Sequence, residues 1–129
     1  IPSLSNEENI SIPLLINGHP KQQALQRAKE LLDEMGLKDK IGKFPSELSG
    51  GQQQRIAIAR GIIHDPSLIV CDEPTSFLDH QTGGKIMEIL KKIVIEKKAT
   101  LLVVTHDPRI VSFADRIDYL EDGKITHSS

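Results

Sequence analysis

The sequence is poor in the residues that mark several large functional classes. Its 129 residues include one cysteine, Cys71, so no internal disulfide can form, and a reducing compartment fits this composition. Aromatic residues make up only 3% of the chain, which argues against a surface that stacks nucleic acid bases. The formal net charge of −2 gives no bulk attraction to nucleic acids or anionic lipids.

Long apolar runs are also absent. Runs such as Leu68–Cys71 and Leu101–Val104 are far shorter than the roughly 20 residues that a membrane-spanning helix needs. What remains is ordinary globular composition, 38% hydrophobic and 26% charged, enough for one modest domain. The first residue is Ile1 rather than methionine, so we expect the chain to begin inside a longer gene product.

The first half of the chain has the patterns of helices. Ser5–Glu8 can open a short helix that Pro13 bends or stops. A second helical pattern begins at Lys21, with apolar residues three and four apart, and Gly36 fits its end. Residues 37–47 are expected to form a loop, and an alanine-rich apolar run predicts a buried helix over roughly 50–63.

The second half alternates strand and helix patterns. Leu68–Cys71 and Leu101–Thr105 are typical of buried strands in a parallel sheet, with an amphipathic helix between them. This order predicts an α/β fold. One or two helical turns are expected over Arg109–Phe113, and Arg116–Leu120 then begins a hairpin with an Asp-Gly turn at 122–123.

The stretch "LSGGQQQR" at 48–55 is the first candidate ligand site. Ser49 and Gln52 have the spacing of a capping box at a helix N-terminus. Gly50 and Gly51 lack Cβ atoms where a ligand could approach free backbone N–H groups, and such a helix start attracts phosphate. The alternative is a flexible helix start without a ligand.

The stretch "LIVCDEP" at 68–74 is the second candidate site. It runs an apolar strand directly into Asp72 and Glu73, which should lie at the carboxyl edge of the sheet, where α/β folds bind ligands. Four apolar residues followed by two acids form the Walker B pattern. Asp72 would then help to hold Mg²⁺ through water, and Glu73 would polarise an attacking water. An acidic strand end without function is the alternative.

Two further polar residues belong to the same region. His106 ends the "VVTH" run, at the same sheet edge as the two acids, and could donate to a phosphate oxygen. Asp79 in "SFLDH" is a good N-cap for the helix that follows, and it could also contact a ligand.

With these motifs together, the chain resembles the nucleotide-binding domain of ATP-binding-cassette (ABC) transporters. Leu48–Gln52 matches the family's signature motif, Leu68–Glu73 its Walker B, Ser76–Asp79 its D-loop and His106 its switch histidine. The resemblance implies an α/β fold, a partial P-loop NTPase (RecA-like) core with parallel strands plus part of the ABC helical subdomain. It also implies ATP and Mg²⁺ as cofactors.

The resemblance assigns roles to individual residues. Glu73 and His106 would be catalytic, as the base and the γ-phosphate contact, and Asp72 would support Mg²⁺. The residues expected to bind nucleotide held by a second domain are Ser49, Gly50, Gly51, Gln52 and Asp79.

The implied partners are a second nucleotide-binding domain, arranged head to tail, and a membrane permease, with no nucleic acid. "SNEENISIPLLI" and "ADRIDYLEDGKI" resemble the bacterial group that serves macrolide, lipoprotein and glycolipid export. The expected location is cytoplasmic, on the inner face of the plasma membrane.

The phosphate-binding loop of such ATPases, G-x-x-x-x-G-K-[ST], does not occur in this sequence. Gly42-Lys43, Gly84-Lys85 and Gly123-Lys124 are each followed by a residue other than serine or threonine. We therefore expect the carboxyl-terminal half of a cassette, with 1–64 a partial helical subdomain and 65–129 the second half of the core. Alone, it is predicted to be inactive.

Two alternative functions stay open at this point. One is a non-transport ABC ATPase, and the other is a non-catalytic half-cassette that acts as an interaction module.

In the family's sheet, the phosphate-loop strand lies beside the strand that ends at His106. The strand over 101–105 is therefore expected to have an unpaired, apolar edge.

Overall fold

The computed structural model describes all 129 residues, 1–129, and has the mixed α/β architecture expected. Its helices and strands, in chain order, are α1 Asn6–Ile16, α2 Lys21–Glu34, α3 Gly50–Ile62, β1 Leu68–Asp72, α4 His80–Lys97, β2 Thr100–Val104, β3 Asp118–Glu121 and β4 Lys124–Ser128. Short 3₁₀ turns lie at Lys38–Lys40, Pro45–Glu47 and Pro108–Phe113. None of the helices is both long and apolar enough to cross a membrane.

Helix α1 begins as predicted but is not stopped by its proline. Ser5 and Glu8 form a capping box at its start, and the helix continues through Pro13 to Ile16. A proline inside a helix costs about 3 kcal/mol or more. Burying Ile10 and Leu14, which are 0% and 8% exposed, contributes about 1.5–3 kcal/mol for each side chain and offsets that cost.

Helix α2 ends at the predicted glycine. Gly36 has a φ of +72°, which a residue with a Cβ adopts only at a cost. The N–H of Leu37 donates to the carbonyl of Leu32 at 2.7 Å, and the N–H of Gly36 donates to that of Asp33 at 3.0 Å. These two bonds form a Schellman motif, which satisfies the last carbonyls of the helix.

Strands β1 and β2 form a two-stranded parallel sheet, with α4 as the crossover between them. The register pairs Leu68 with Thr100 and Asp72 with Val104. The sheet contains no further strand, so the outer edge of β2 is unpaired, as predicted, and so is that of β1.

The expectation that both faces of this sheet are buried is wrong. On one face, Ile69, Cys71, Leu101 and Val103 pack against the hydrophobic core. On the other face, four apolar side chains are more than half exposed: Leu68 (54%), Val70 (59%), Leu102 (53%) and Val104 (54%). Alternate side chains of a strand point to opposite faces, and in this chain the core covers only one of them.

The last two strands, β3 and β4, form the predicted antiparallel hairpin. Its two-residue turn is Asp122-Gly123, with φ values of +48° and +75°. Positive φ at both central residues is the mark of a type I′ turn, for which Asp-Gly is a favoured sequence.

Candidate functional site

The parallel register brings the carboxyl ends of β1 and β2 together at one sheet edge. Asp72 and Val104 are the last paired residues, so Glu73 and the segment 105–107 leave the sheet side by side. The N–H of Glu73 continues the ladder by donating to the carbonyl of Val104 at 2.8 Å. The structure therefore brings Glu73 and His106 into contact, as the order of strands predicts.

The carboxylate of Glu73 accepts hydrogen bonds on both of its oxygens at this edge. Its Oε1 accepts from the backbone N–H of His106 at 3.1 Å and lies 2.6 Å from His106 Nδ1. Its Oε2 accepts from Thr105 Oγ1 at 3.0 Å and from Ser76 Oγ at 3.3 Å. The bond from the His106 side chain, followed by that from Thr105, lowers the pKa of Glu73 below its ordinary value.

The backbone at Glu73 is strained. Its φ of +50° lies in the left-handed region, which is uncommon for a residue with a Cβ and costs about 1–2 kcal/mol. The ladder bond to Val104 and the bonds to both carboxylate oxygens hold it in this conformation. Such outliers cluster at functional sites, and this one turns the carboxylate toward the end of the neighbouring strand.

Asp72, the residue before it, has a different environment. It is exposed, and none of the hydrogen bonds or ion pairs of the chain involves its carboxylate. No group of three or more His, Cys, Asp or Glu side chains could hold a metal ion by itself. A single free carboxylate does fit Mg²⁺, which usually keeps several waters and takes its other ligands from phosphate oxygens.

The signature segment begins α3 as predicted. Ser49 Oγ accepts from the N–H of Gln52 at 3.3 Å, and Gln52 Oε1 accepts from the N–H of Ser49 at 2.9 Å. The N–H groups of Gly50 and Gly51 have no acceptor within the chain, because they precede the first intrahelical bonds. The helix start therefore presents two free donors beside a serine hydroxyl.

Gly50 and Gly51 differ in how much space their surroundings leave for a side chain. A Cβ on Gly51 would lie 2.5 Å from Thr82 Cγ2 in the first turn of α4, whereas a Cβ on Gly50 would meet only Leu78 Cδ2 at 3.9 Å. The sequence analysis attributed the lack of a side chain at Gly51 to the approach of a ligand. The structure explains it by packing against Thr82 within the chain. The close approach also fixes the start of α3 against the start of α4.

Asp79 caps α4 as predicted. Its Oδ1 accepts from the N–H of Thr82 at 2.9 Å and its Oδ2 from Thr82 Oγ1 at 2.6 Å. The bond from the Thr82 side chain is the largest cause that lowers the pKa of Asp79. Because Thr82 also contacts the position where a Gly51 Cβ would lie, Asp79 and the signature helix are linked through one side chain.

Sequence reasoning missed the hydroxyl partners of Glu73. Ser76 lies three residues after it in the turn that follows β1, and Thr105 lies one residue before His106. A signal for Thr105 was present, because parallel pairing of the two apolar runs puts the residues that follow them next to each other. Which of these residues bonds to Glu73 depends on the register of the two strands, and only the three-dimensional structure gives that register.

The fold and the site define an α/β domain with acidic and histidine side chains at the carboxyl edge of a parallel sheet. Residues 1–76 match the model of the family described as "ABC transporter". This match covers more than half of the chain, and the chain belongs to that family.

Similar proteins agree with this assignment. The chain is 45% identical over 125 residues to the lipoprotein-releasing system ATP-binding protein LolD of Syntrophus aciditrophicus, covering 97% of this chain and 56% of LolD. It is also 45% identical over 118 residues to the methionine import ATP-binding protein MetN of Staphylococcus saprophyticus, covering 91% of this chain and 35% of MetN.

A solved structure confirms the fold class. The dimeric post-hydrolysis state of the ATP-binding cassette MJ0796, bound to ADP and Pi, matches with a TM-score of 0.85 at 41% identity. The match covers all of this chain and 57% of the MJ0796 chain. The chain thus spans about half the length of that cassette and of LolD.

Proposed function

We propose that this chain is the carboxyl-terminal part of the ATP-binding subunit of an ABC transporter. It would supply the water-activating carboxylate, the phosphate-sensing histidine and the signature helix. The phosphate-binding loop would come from a preceding segment of a longer polypeptide, which we call the parent cassette. The observation that carries the proposal is the contact between Glu73 and His106 at the sheet edge, 2.6 Å between carboxylate and imidazole.

In the proposed mechanism, Glu73 orients a water molecule for in-line attack on the γ-phosphate and accepts its proton. The ionised carboxylate can only accept, so the proton of this contact lies on His106 Nδ1. In the proposed mechanism the ring turns from Glu73 and donates its N–H to a phosphate oxygen, which leaves Glu73 Oε1 free for the water. The exposure of the His106 side chain, 87%, supports this role because the ring is accessible to a ligand. Asp72 would hold Mg²⁺ through water, and the ion would supply charge neutralisation at the β- and γ-phosphates.

The signature helix is proposed to act on nucleotide bound to a second cassette, arranged head to tail. Ser49 Oγ accepts from Gln52 N–H, so its own proton is free to donate to a phosphate oxygen. The free N–H groups of Gly50 and Gly51 and the positive end of the helix dipole support the same contact. Gln52, which completes the cap, and Asp79, tied to Thr82, would fix the geometry of this surface.

The subunit is proposed to lie at the cytoplasmic face of the membrane, bound to a permease. We retain 1–64 as the partial helical subdomain and 65–129 as the second half of the nucleotide-binding core. The relatives include one named for lipoprotein release and one named for methionine import, at the same 45% identity. Identity at this level supports a transport ATPase without selecting the direction of transport. The proposal of export rests on the resemblance of 5–16 and 114–125 to the export group and on relatives named for lipoprotein release and macrolide export.

A non-catalytic interaction module is the second candidate. It is favoured by one observation, the bare apolar face and unpaired edges of the β1–β2 sheet, which could accept another polypeptide. A module would bind a protein partner without hydrolysing ATP.

Hydrolysis assays separate the two candidates. We expect the parent cassette to hydrolyse Mg-ATP and the 129-residue chain alone to show negligible phosphate release, because it has no phosphate-loop sequence. ATP turnover by the isolated chain well above that of its own Glu73→Gln variant would contradict the proposal that hydrolysis requires a phosphate-binding loop from a preceding segment. A parent polypeptide that neither binds nor hydrolyses ATP would favour the module.

A further inference from the structure

Thr105 connects the Glu73 carboxylate to the segment that follows β2. Its Oγ1 donates to Glu73 Oε2 at 3.0 Å and accepts from the backbone N–H of Asp107 at 2.9 Å. A threonine hydroxyl has one proton, and accepting from Asp107 leaves that proton for the carboxylate. The hydroxyl is therefore held from one side and donates on the other.

Asp107 is itself fixed by several bonds. Its Oδ2 accepts from Thr75 Oγ1 at 2.9 Å, and its Oδ1 accepts from the backbone N–H of Arg109 at 3.0 Å. The Arg109 guanidinium adds an ion pair at 2.6 Å and, as the largest cause, holds the pKa of Asp107 well below its usual range. Thr75 is 1% exposed and the Asp107 side chain 12%, so the bond between these two side chains is largely shielded from water.

We propose that Thr105 is a positioning residue, which orients the Glu73 carboxylate for water activation and is itself oriented by Asp107. This inference rests on the proposed function of Glu73.

The other side-chain partners of Glu73 are less suited to that task. The His106 ring is 87% exposed and, in the proposed mechanism, it also engages phosphate. Ser76 donates over 3.3 Å, from the residue that precedes Phe77, a second residue with positive φ. Thr105 is half-buried and anchored on both sides. It is the side-chain donor that can hold Oε2 while His106 turns to a ligand.

Loss of the Thr105 hydroxyl removes the bond that holds Glu73 Oε2 from the side of β2. The carboxylate gains rotational freedom, so fewer encounters with water are productive. A hydrogen bond to a charged group corresponds to a rate effect of about 10- to 100-fold.

The test is Thr105→Val in the parent cassette, assayed for hydrolysis over a range of Mg-ATP concentrations. We expect kcat to fall about 10- to 100-fold with little change in KM, because Thr105 contacts no nucleotide in the proposed mechanism. Thr105→Ser, which restores a hydroxyl, should recover most of the rate.

Thr100→Val is the matched control. Thr100 begins the same strand, is exposed, and its hydroxyl takes part in none of the hydrogen bonds of the chain. Thr100→Val makes the same exchange of a hydroxyl for a methyl group on a β-branched side chain, and we expect wild-type kcat and KM. Melting temperatures of all variants separate a local effect from a loss of folding.

Each outcome has a defined meaning. Wild-type kcat in Thr105→Val, or a serine variant as slow as the valine variant, would overturn the positioning role. Should Thr105→Val fail to fold, Asp107→Asn must give a smaller loss of kcat with little change in KM, and the absence of that loss would overturn the proposal. If Glu73→Gln keeps its activity, the proposed function fails. If Glu73→Gln is inactive and Thr105→Val is normal, only the positioning role fails.

Discussion

At the scale of single residues, the candidate site depends on two adjacent acids with opposite surroundings. Glu73 receives bonds on both carboxylate oxygens, and Asp72 receives none from the chain. A carboxylate held through both oxygens is fixed in direction, which suits a group that must aim at one water molecule once His106 leaves Oε1. A free and exposed carboxylate suits a hydrated cation. The difference in surroundings is what supports different roles for neighbours of the same chemistry.

Glu73→Gln in the parent cassette should nearly abolish ATP hydrolysis and leave ATP binding intact. The amide keeps the shape of the side chain but cannot accept a proton, and a positioned base is worth about 10²–10⁴-fold in rate. Phosphate release and equilibrium nucleotide binding, measured on the same preparation, check both parts. Hydrolysis within a few-fold of the wild-type rate would show that another group accepts the proton.

At the scale of elements, the start of α3 is held against the start of α4 by close packing. Gly51 has no room for a side chain beside Thr82, and Thr82 is also held by the N-cap Asp79. The start of the signature helix therefore packs directly on the first turn of α4. Because Glu73 and Ser76 begin the turn that leads into α4, this turn joins the two candidate sites within one chain.

Gly51→Ala should destabilise the fold, and Gly61→Ala should not. A Cβ at position 51 would lie 2.5 Å from Thr82 Cγ2, and such overpacking typically costs about 1–3 kcal/mol. Position 61 lies in the same helix with nothing within 4 Å, so alanine there should stabilise by about 0.5–1 kcal/mol through helix propensity. Urea unfolding of both variants in the parent cassette measures the difference. Equal free energies of unfolding would contradict the close contact.

How much the sequence predicts depends on the range of the interactions involved. The end of α2 and the position of the hairpin turn were predictable, because Gly36 and Asp122-Gly123 act through local backbone geometry. The continuation of α1 through Pro13 was not, because it depends on burial against distant helices. At the site, motif order located Glu73 and His106, whereas the role of Thr105 in their geometry required the register of β1 and β2.

At the scale of the whole molecule, the chain combines one continuous core with one uncovered sheet face. The core joins the helices and one face of the sheet, while Leu68, Val70, Leu102 and Val104 lie outside it. Both sheet edges also present unpaired backbone N–H and C=O groups. An apolar face bounded by free edges is a surface on which another strand can add.

The isolated 129-residue chain should therefore self-associate. Pairing of the β2 edge with a second copy would satisfy free backbone groups and cover part of the apolar face, so the apparent mass should rise with concentration. Light scattering over a dilution series measures this. Val104→Lys puts a charge on the exposed face, where charged side chains oppose strand addition, and should shift association to higher concentration.

Ile16→Lys is the control that separates this surface from general hydrophobicity. Ile16 is 78% exposed at the end of α1, so lysine there removes an exposed apolar side chain of similar size and adds the same charge away from the sheet. If the sheet is the contact, Ile16→Lys should associate like the unmodified chain. Equal weakening by both substitutions would point to nonspecific apolar contact. A concentration-independent, cooperatively melting monomer would show that the uncovered sheet is tolerated, and would weaken the case that this face accepts another polypeptide.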